Sequence, residues 1–76
     1  VMTYYVCTHP GHHGSMEIFS EEDYEEACRI DNGYHVLLKA ASRQAALEFV
    51  QEVILQALAI DPELQDLKKD IQELYL

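Results

Sequence analysis

The stretch from Ala45 to Ile60 constrains this chain more than any other. Ala45, Ala46, Leu47, Phe49, Val50, Val53, Ile54, Leu55, Ala57, Leu58 and Ile60 leave only a narrow polar strip around Gln44, Glu48, Gln51 and Glu52. Ser42 is a good N-cap, so a helix is predicted from there to about Ile60. A helix apolar around most of its circumference must be covered on more than one side. In a chain of 76 residues that cover has to come from the flanking segments or from a second copy.

The preceding segment supplies a sheet. Thr3 to Thr8 is rich in tyrosine and valine and reads as a strand, with Tyr4 and Val6 on one face and Tyr5 and Cys7 on the other. His9-Pro10-Gly11 ends it, and Gly14 and Ser15 close the loop. Met16 to Phe19 reads as a second strand, making a hairpin. Ser20 then caps a helix whose first turn carries Glu21, Glu22 and Asp23, and whose apolar stripe is Tyr24, Ala27, Cys28 and Ile30. Asn32-Gly33 is expected to stop it through left-handed backbone. Tyr34 to Lys39 alternates as a third strand, with Tyr34, Val36 and Leu38 opposite His35, Leu37 and Lys39.

The following segment supplies one more helix. Asp61 reads as its N-cap and Pro62 as its first residue. Leu64, Leu67, Ile71 and Leu74 repeat at three, four and three, a seam too short to hold alone. The expected organisation is a single domain over residues 1–76, with a core at 1–60 and an amphipathic helix at 61–76.

Charge narrows the classes of function. Five lysines and arginines stand against fourteen acids, for a net charge of −9. Phosphate backbones and anionic lipid repel such a chain, so nucleic-acid and membrane-surface binding are disfavoured. Seven acids, Glu17, Glu21, Glu22, Asp23, Glu25, Glu26 and Asp31, fall within fifteen residues. They read as a solvated helix face or as a patch that docks a basic partner. No secretory signal and no membrane-length apolar run are recognisable, and two cysteines make no disulfide scaffold, so a cytoplasmic, reduced protein is expected. Met2 reads as the natural start and Val1 as an extra residue before it.

The order strand, strand, helix, strand, helix carries a resemblance. Tyr4-Tyr5-Val6, then Ile18-Phe19-Ser20, then Ser42-Arg43-Gln44-Ala45-Ala46-Leu47-Glu48-Phe49-Val50 resemble the small N-terminal domain of eukaryotic-type ribonuclease H and caulimovirus viroplasmin, over about Tyr4 to Val50. The resemblance implies an α+β fold: a three-stranded antiparallel sheet in β-β-α-β-α order with the helices on one face. The helix from Pro62 onward lies outside it. That family binds RNA–DNA hybrids through aromatic and basic residues. Here Leu37, Leu38 and Lys39 stand where a basic pair is expected, and His9-Pro10-Gly11-His12-His13 replaces a basic loop. The fold is expected to carry over and the nucleic-acid activity is not.

Two candidate sites remain. Cys7, His9, His12 and His13 are of the residue types that hold zinc, and three of the four histidines lie in this one loop. Their spacing matches no established zinc signature, and a solvated hairpin loop is the competing reading. No acidic orienter or oxyanion loop accompanies Cys7, so no enzyme is expected. Cys28 reads as a core residue. The second candidate is an interface formed by Tyr5 and Leu37 on an open sheet face and by Val53, Leu64, Leu67, Ile71 and Leu74 on the helices. The favoured reading is a small acidic adaptor or regulatory module acting through protein contacts as a homodimer. A zinc-type protein is the alternative, and a divergent ribonuclease-H-type nucleic-acid binder is the third.

Overall fold

The computed structural model describes residues 2–76; Val1, read above as an extra residue, lies outside the described residues. Three strands and three helices follow in the order β1 (Tyr4–Thr8), β2 (Glu17–Ser20), α1 (Glu21–Ile30), β3 (His35–Ala40), α2 (Arg43–Ile60) and α3 (Leu67–Tyr75). The sheet is antiparallel with β1 in the centre, in the order β2-β1-β3. The α+β architecture with an additional C-terminal helix is therefore as expected.

Both helix starts form where the serines place them. The Ser20 hydroxyl accepts from the Asp23 amide at 3.3 Å, and the Ser42 hydroxyl accepts from the Ala45 amide at 3.1 Å. The third start differs from expectation. Asp61 does not cap a helix at Pro62; its backbone carbonyl accepts from Leu64 and its carboxylate accepts from Asp66. Residues 62–66 form turns, with Leu64 at φ 48°, and Asp66 caps α3 by accepting from the Lys69 amide at 3.1 Å. An aspartate so close to a chain reversal makes turn bonds as readily as helix caps, and a second aspartate five residues on takes over the capping.

The helices lie on opposite faces of the sheet, which corrects the expectation of one face. Register decides this. Val6 pairs with Ile18 on one side and Leu38 on the other, and Tyr4 pairs with Ala40. These residues share the face that meets Ala45, Ala46, Phe49 and Val50 of α2. Tyr5 pairs with Phe19 and Lys39 on the other face, where Tyr24 of α1 stacks on Tyr5 with ring centres 4.2 Å apart. The sheet is sandwiched, and its Tyr5 face is not open.

A bulge explains the place of Leu37. Val6 pairs with Leu38 but Cys7 pairs with Val36, so Leu37 has no partner on β1. The extra residue breaks the strict alternation expected of β3 and brings Leu37 and Leu38 together onto the α2 side.

The C-terminal helix closes over its own chain. Ile71 and Val53 are fully buried, and the Tyr75 ring meets Phe49 edge-on at 5.7 Å. The Tyr75 hydroxyl donates to Gln56 Oε1 at 2.8 Å. Val53, Ile71 and Leu37 are therefore core residues and not free interface residues, a second correction. Leu64 and Leu67 are half-buried, and only Leu74 of the expected helical set is exposed.

Candidate functional site

The histidine loop folds back over one end of the sheet, on the α1 side. His9 follows β1 directly and is 92 % withdrawn from solvent, with 8 % exposed. Its ring stacks on that of His12, centres 4.0 Å apart and planes 11° apart. Tyr34 meets both rings edge-on, at 4.8 and 5.4 Å, and Phe19 backs Tyr34 at 5.3 Å. A turn closed by the His12 amide on the His9 carbonyl at 3.2 Å brings the two rings together.

Each imidazole has its own carboxylate. His12 Nδ1 is 2.8 Å from Glu17 Oε1. A carboxylate only accepts, so Nδ1 carries the proton, and in the neutral ring Nε2 keeps its lone pair. His9 is held the other way round: Gly11 N–H donates to Nδ1 at 2.9 Å, so in the neutral ring Nε2 carries the proton. Nε2 lies 2.8 Å from Asp31 Oδ2, but off the axis of the ring nitrogen. The contact is electrostatic rather than a directed hydrogen bond, and Nε2 is a buried atom without a partner along its axis. Glu17 Oε2 is buried and unpartnered as well.

Asp31 is the residue after α1 and reaches the site because the chain ends the helix in extended backbone (φ −151°, ψ 121°). The Asp31 amide still bonds back to Ala27, and its Oδ1 accepts from the Gly33 amide at 2.9 Å. The neighbouring His9 ring, and then the Gly33 amide, lower its pKa from the ordinary carboxylate value. Gly33 does not stop the helix through left-handed backbone, as none of the glycines has positive φ. Its role is space: a Cβ there would stand 2.6 Å from His9 Nε2 and 3.2 Å from Asp31 Oδ1.

Lys68 of α3 holds the loop from outside. Its Nζ donates to the Pro10 carbonyl at 3.1 Å and to the His12 carbonyl. The ammonium thus satisfies two loop carbonyls and ties the C-terminal helix to the histidines.

Of the four sequence-derived ligand candidates, His9 and His12 come together and the other two do not join them. Cys7 is buried beneath α1, and burial first, then Cys28 and Glu17, push its thiol pKa up to about 12. A thiol so strongly held protonated is a poor ligand and a poor nucleophile. The neighbouring Cys28 thiol, and then burial, raise the Tyr24 phenol to about 12. His13 is exposed in the loop. The set that does converge is His9, His12 and Asp31, with one ligating atom from each lying within 4.8 Å of the others. Sequence reasoning missed Asp31 and Glu17 by assigning both to the acidic face. Pairing of Glu17 with Cys7 in the hairpin was a usable signal for one; Asp31 is far from the loop in sequence and carries none.

A second surface feature lies on α2. Leu47, Leu55 and Leu58 are exposed, Leu55 by 62 %. At 100° per residue Leu47, Gln51, Ile54 and Leu58 share one strip along the helix, turned away from the buried Ala46, Val53 and Ala57.

No family model, curated protein or solved structure matches the chain. Among the described residues no helix is long and apolar enough to cross a membrane.

Proposed function

We propose that this chain is a small acidic adaptor or regulatory module that acts through protein contacts, as a homodimer formed by the outer strip of α2. The observation that carries the reading is the exposure of Leu47, Leu55 and Leu58 after α1, α3 and the sheet have made all their own contacts with the core. Apolar side chains at i, i+7 and i+11, here Leu47, Ile54 and Leu58, make a seam by which two helices pack, and a second copy offers an identical seam under twofold symmetry. Gln51 at the centre of the strip suits a twofold axis, where its amide can donate to and accept from its counterpart.

α1 lies on the opposite face of the sheet and keeps Glu21, Glu22, Asp23, Glu25 and Glu26 exposed. In the dimer these carboxylates form two outward acidic surfaces suited to a basic protein partner. Sedimentation equilibrium tests the self-association. Wild type is expected to associate reversibly, and the Leu47→Glu/Leu58→Glu double variant is expected to sediment as a monomer with an unchanged circular dichroism spectrum. A monomeric wild type at all concentrations removes the dimer.

A further inference from the structure

We propose that His9, His12 and Asp31 form a binding site for a divalent transition-metal ion of the zinc type, with Glu17 orienting His12 from behind. Of the sequence candidates Cys7, His9, His12 and His13, only His9 and His12 belong to this set, and Asp31 joins them. Two imidazoles and a carboxylate are a common protein ligand set for zinc, leaving a fourth position to water or to a partner's side chain.

Two observations support it. Ligating atoms from the three residues already lie within 4.8 Å of one another. A tetrahedral ion with bonds of about 2.0–2.1 Å separates its ligands by about 3.3 Å. Because the His9 and His12 rings lie nearly parallel, 11° apart, binding also requires the exposed-side His12 ring to turn out of the stack so that both nitrogen lone pairs point at the ion. His9 Nε2 is buried with nothing on its axis, although buried ring nitrogens are normally partnered.

His12 is already in the ligating tautomer. Its Nδ1 proton is held by Glu17, which directs the Nε2 lone pair outward, the usual arrangement of a carboxylate behind a metal-bound histidine. His9 must change. Its proton moves from Nε2 to Nδ1 as the metal takes Nε2, and the Gly11 amide that now donates to Nδ1 has to turn aside. No proton is lost from the ring in this exchange, and the turn from His9 to His12 does not depend on the Gly11 amide. The ion would also offset negative charge in a chain of net charge −9.

The test is calorimetric titration of the folded full chain with zinc chloride, paired with amide NMR. One ion is expected to bind per chain. His12→Ala and Asp31→Asn are each expected to weaken it at least tenfold, and Glu17→Gln about tenfold, within the 10–100-fold range typical of such supporting carboxylates. Cys7→Ser and His13→Ala are expected to leave the affinity within twofold. On wild type the Gly11 amide resonance is expected to shift with those of His9, His12 and Asp31, a readout that survives if a variant fails to fold. Absence of binding overturns the proposal. So does binding that is lost in Cys7→Ser or His13→Ala but kept in Asp31→Asn, and so does a shift pattern confined to His13 and its neighbours. A cobalt(II) complex showing the intense near-ultraviolet band of thiolate ligation also overturns it.

Discussion

The rings of His9 and His12 lie parallel with centres 4.0 Å apart, yet each answers to a different carboxylate, Asp31 for the first and Glu17 for the second. Asp31 comes from the end of α1 and Glu17 from the start of β2. The stack is therefore the point where the loop, the hairpin and the helix crossing the sheet are joined. Lys68 adds α3 to the same junction through the loop carbonyls.

Gly33 is the spacer of this junction. Gly33→Ala places a Cβ 2.6 Å from His9 Nε2, and His9 is too buried to move freely. The substitution is expected to destabilise the fold by about 1–3 kcal/mol, the usual cost of overpacking. Gly14→Ala meets only a carbonyl oxygen at 4.0 Å and is expected to change little. Urea unfolding of the two variants side by side checks the difference; equal midpoints contradict it.

Much of the fold was legible in the residues, and the limits of that reading are physical. Ser20 and Ser42 cap as expected because capping is local: one hydroxyl and an amide three residues on. The length of α2 was legible from its apolar run for the same reason. The bulge at Leu37 was not, because it arises between strands and leaves no mark within β3 itself. Nor was the side of the sheet that each helix covers, since α1 has a polar outer face and a modest apolar stripe that fit either face. Within that stripe Ile30 points outward and is 80 % exposed. The His9–His12 pair was legible as a cluster, while the carboxylates that define its chemistry come from other elements.

Asp70 gives the fold a pH dependence. It is buried on α3, its Oδ2 lacks a hydrogen-bond partner, and burial first, then the adjacent Asp61, raise its pKa to about 6. Glu73 and Asp66 add smaller charges of the same sign. A carboxyl whose folded pKa exceeds its unfolded value of about 3.9 stabilises the fold fully below that value, and the contribution is lost as pH rises toward the folded pKa. Asp61 runs in the opposite direction: its lowered pKa contributes above its unfolded value and is lost as pH falls. Asp70→Asn removes the first dependence. Its urea midpoint is expected to exceed that of wild type at about pH 8 and to converge with it toward about pH 4. A variant no more stable than wild type at the higher pH contradicts the assignment.

Ile71 fastens α3 to α2 and is fully buried. Ile71→Ala is expected to cost about 2–5 kcal/mol, whereas Ile30→Ala is expected to stay within about 0.5 kcal/mol. Thermal unfolding monitored by circular dichroism separates the two; comparable losses mean that α3 is not docked on α2.

Lys68→Met keeps the aliphatic stem and removes the ammonium that binds the Pro10 and His12 carbonyls. Amide hydrogen exchange is expected to quicken at His12 while the strands remain protected. Exchange unchanged at His12 means that the lysine does not hold the loop.

The contact face on α2 is tested most directly by isotope-filtered NMR on a sample mixed from labelled and unlabelled chains. Intermolecular cross-peaks are expected among the methyl groups of Leu47, Ile54, Leu55 and Leu58, and none from Val53 or Ile71, which face the core. A sample at high concentration showing no intermolecular cross-peaks, or showing them from α1 instead, contradicts the proposed dimer.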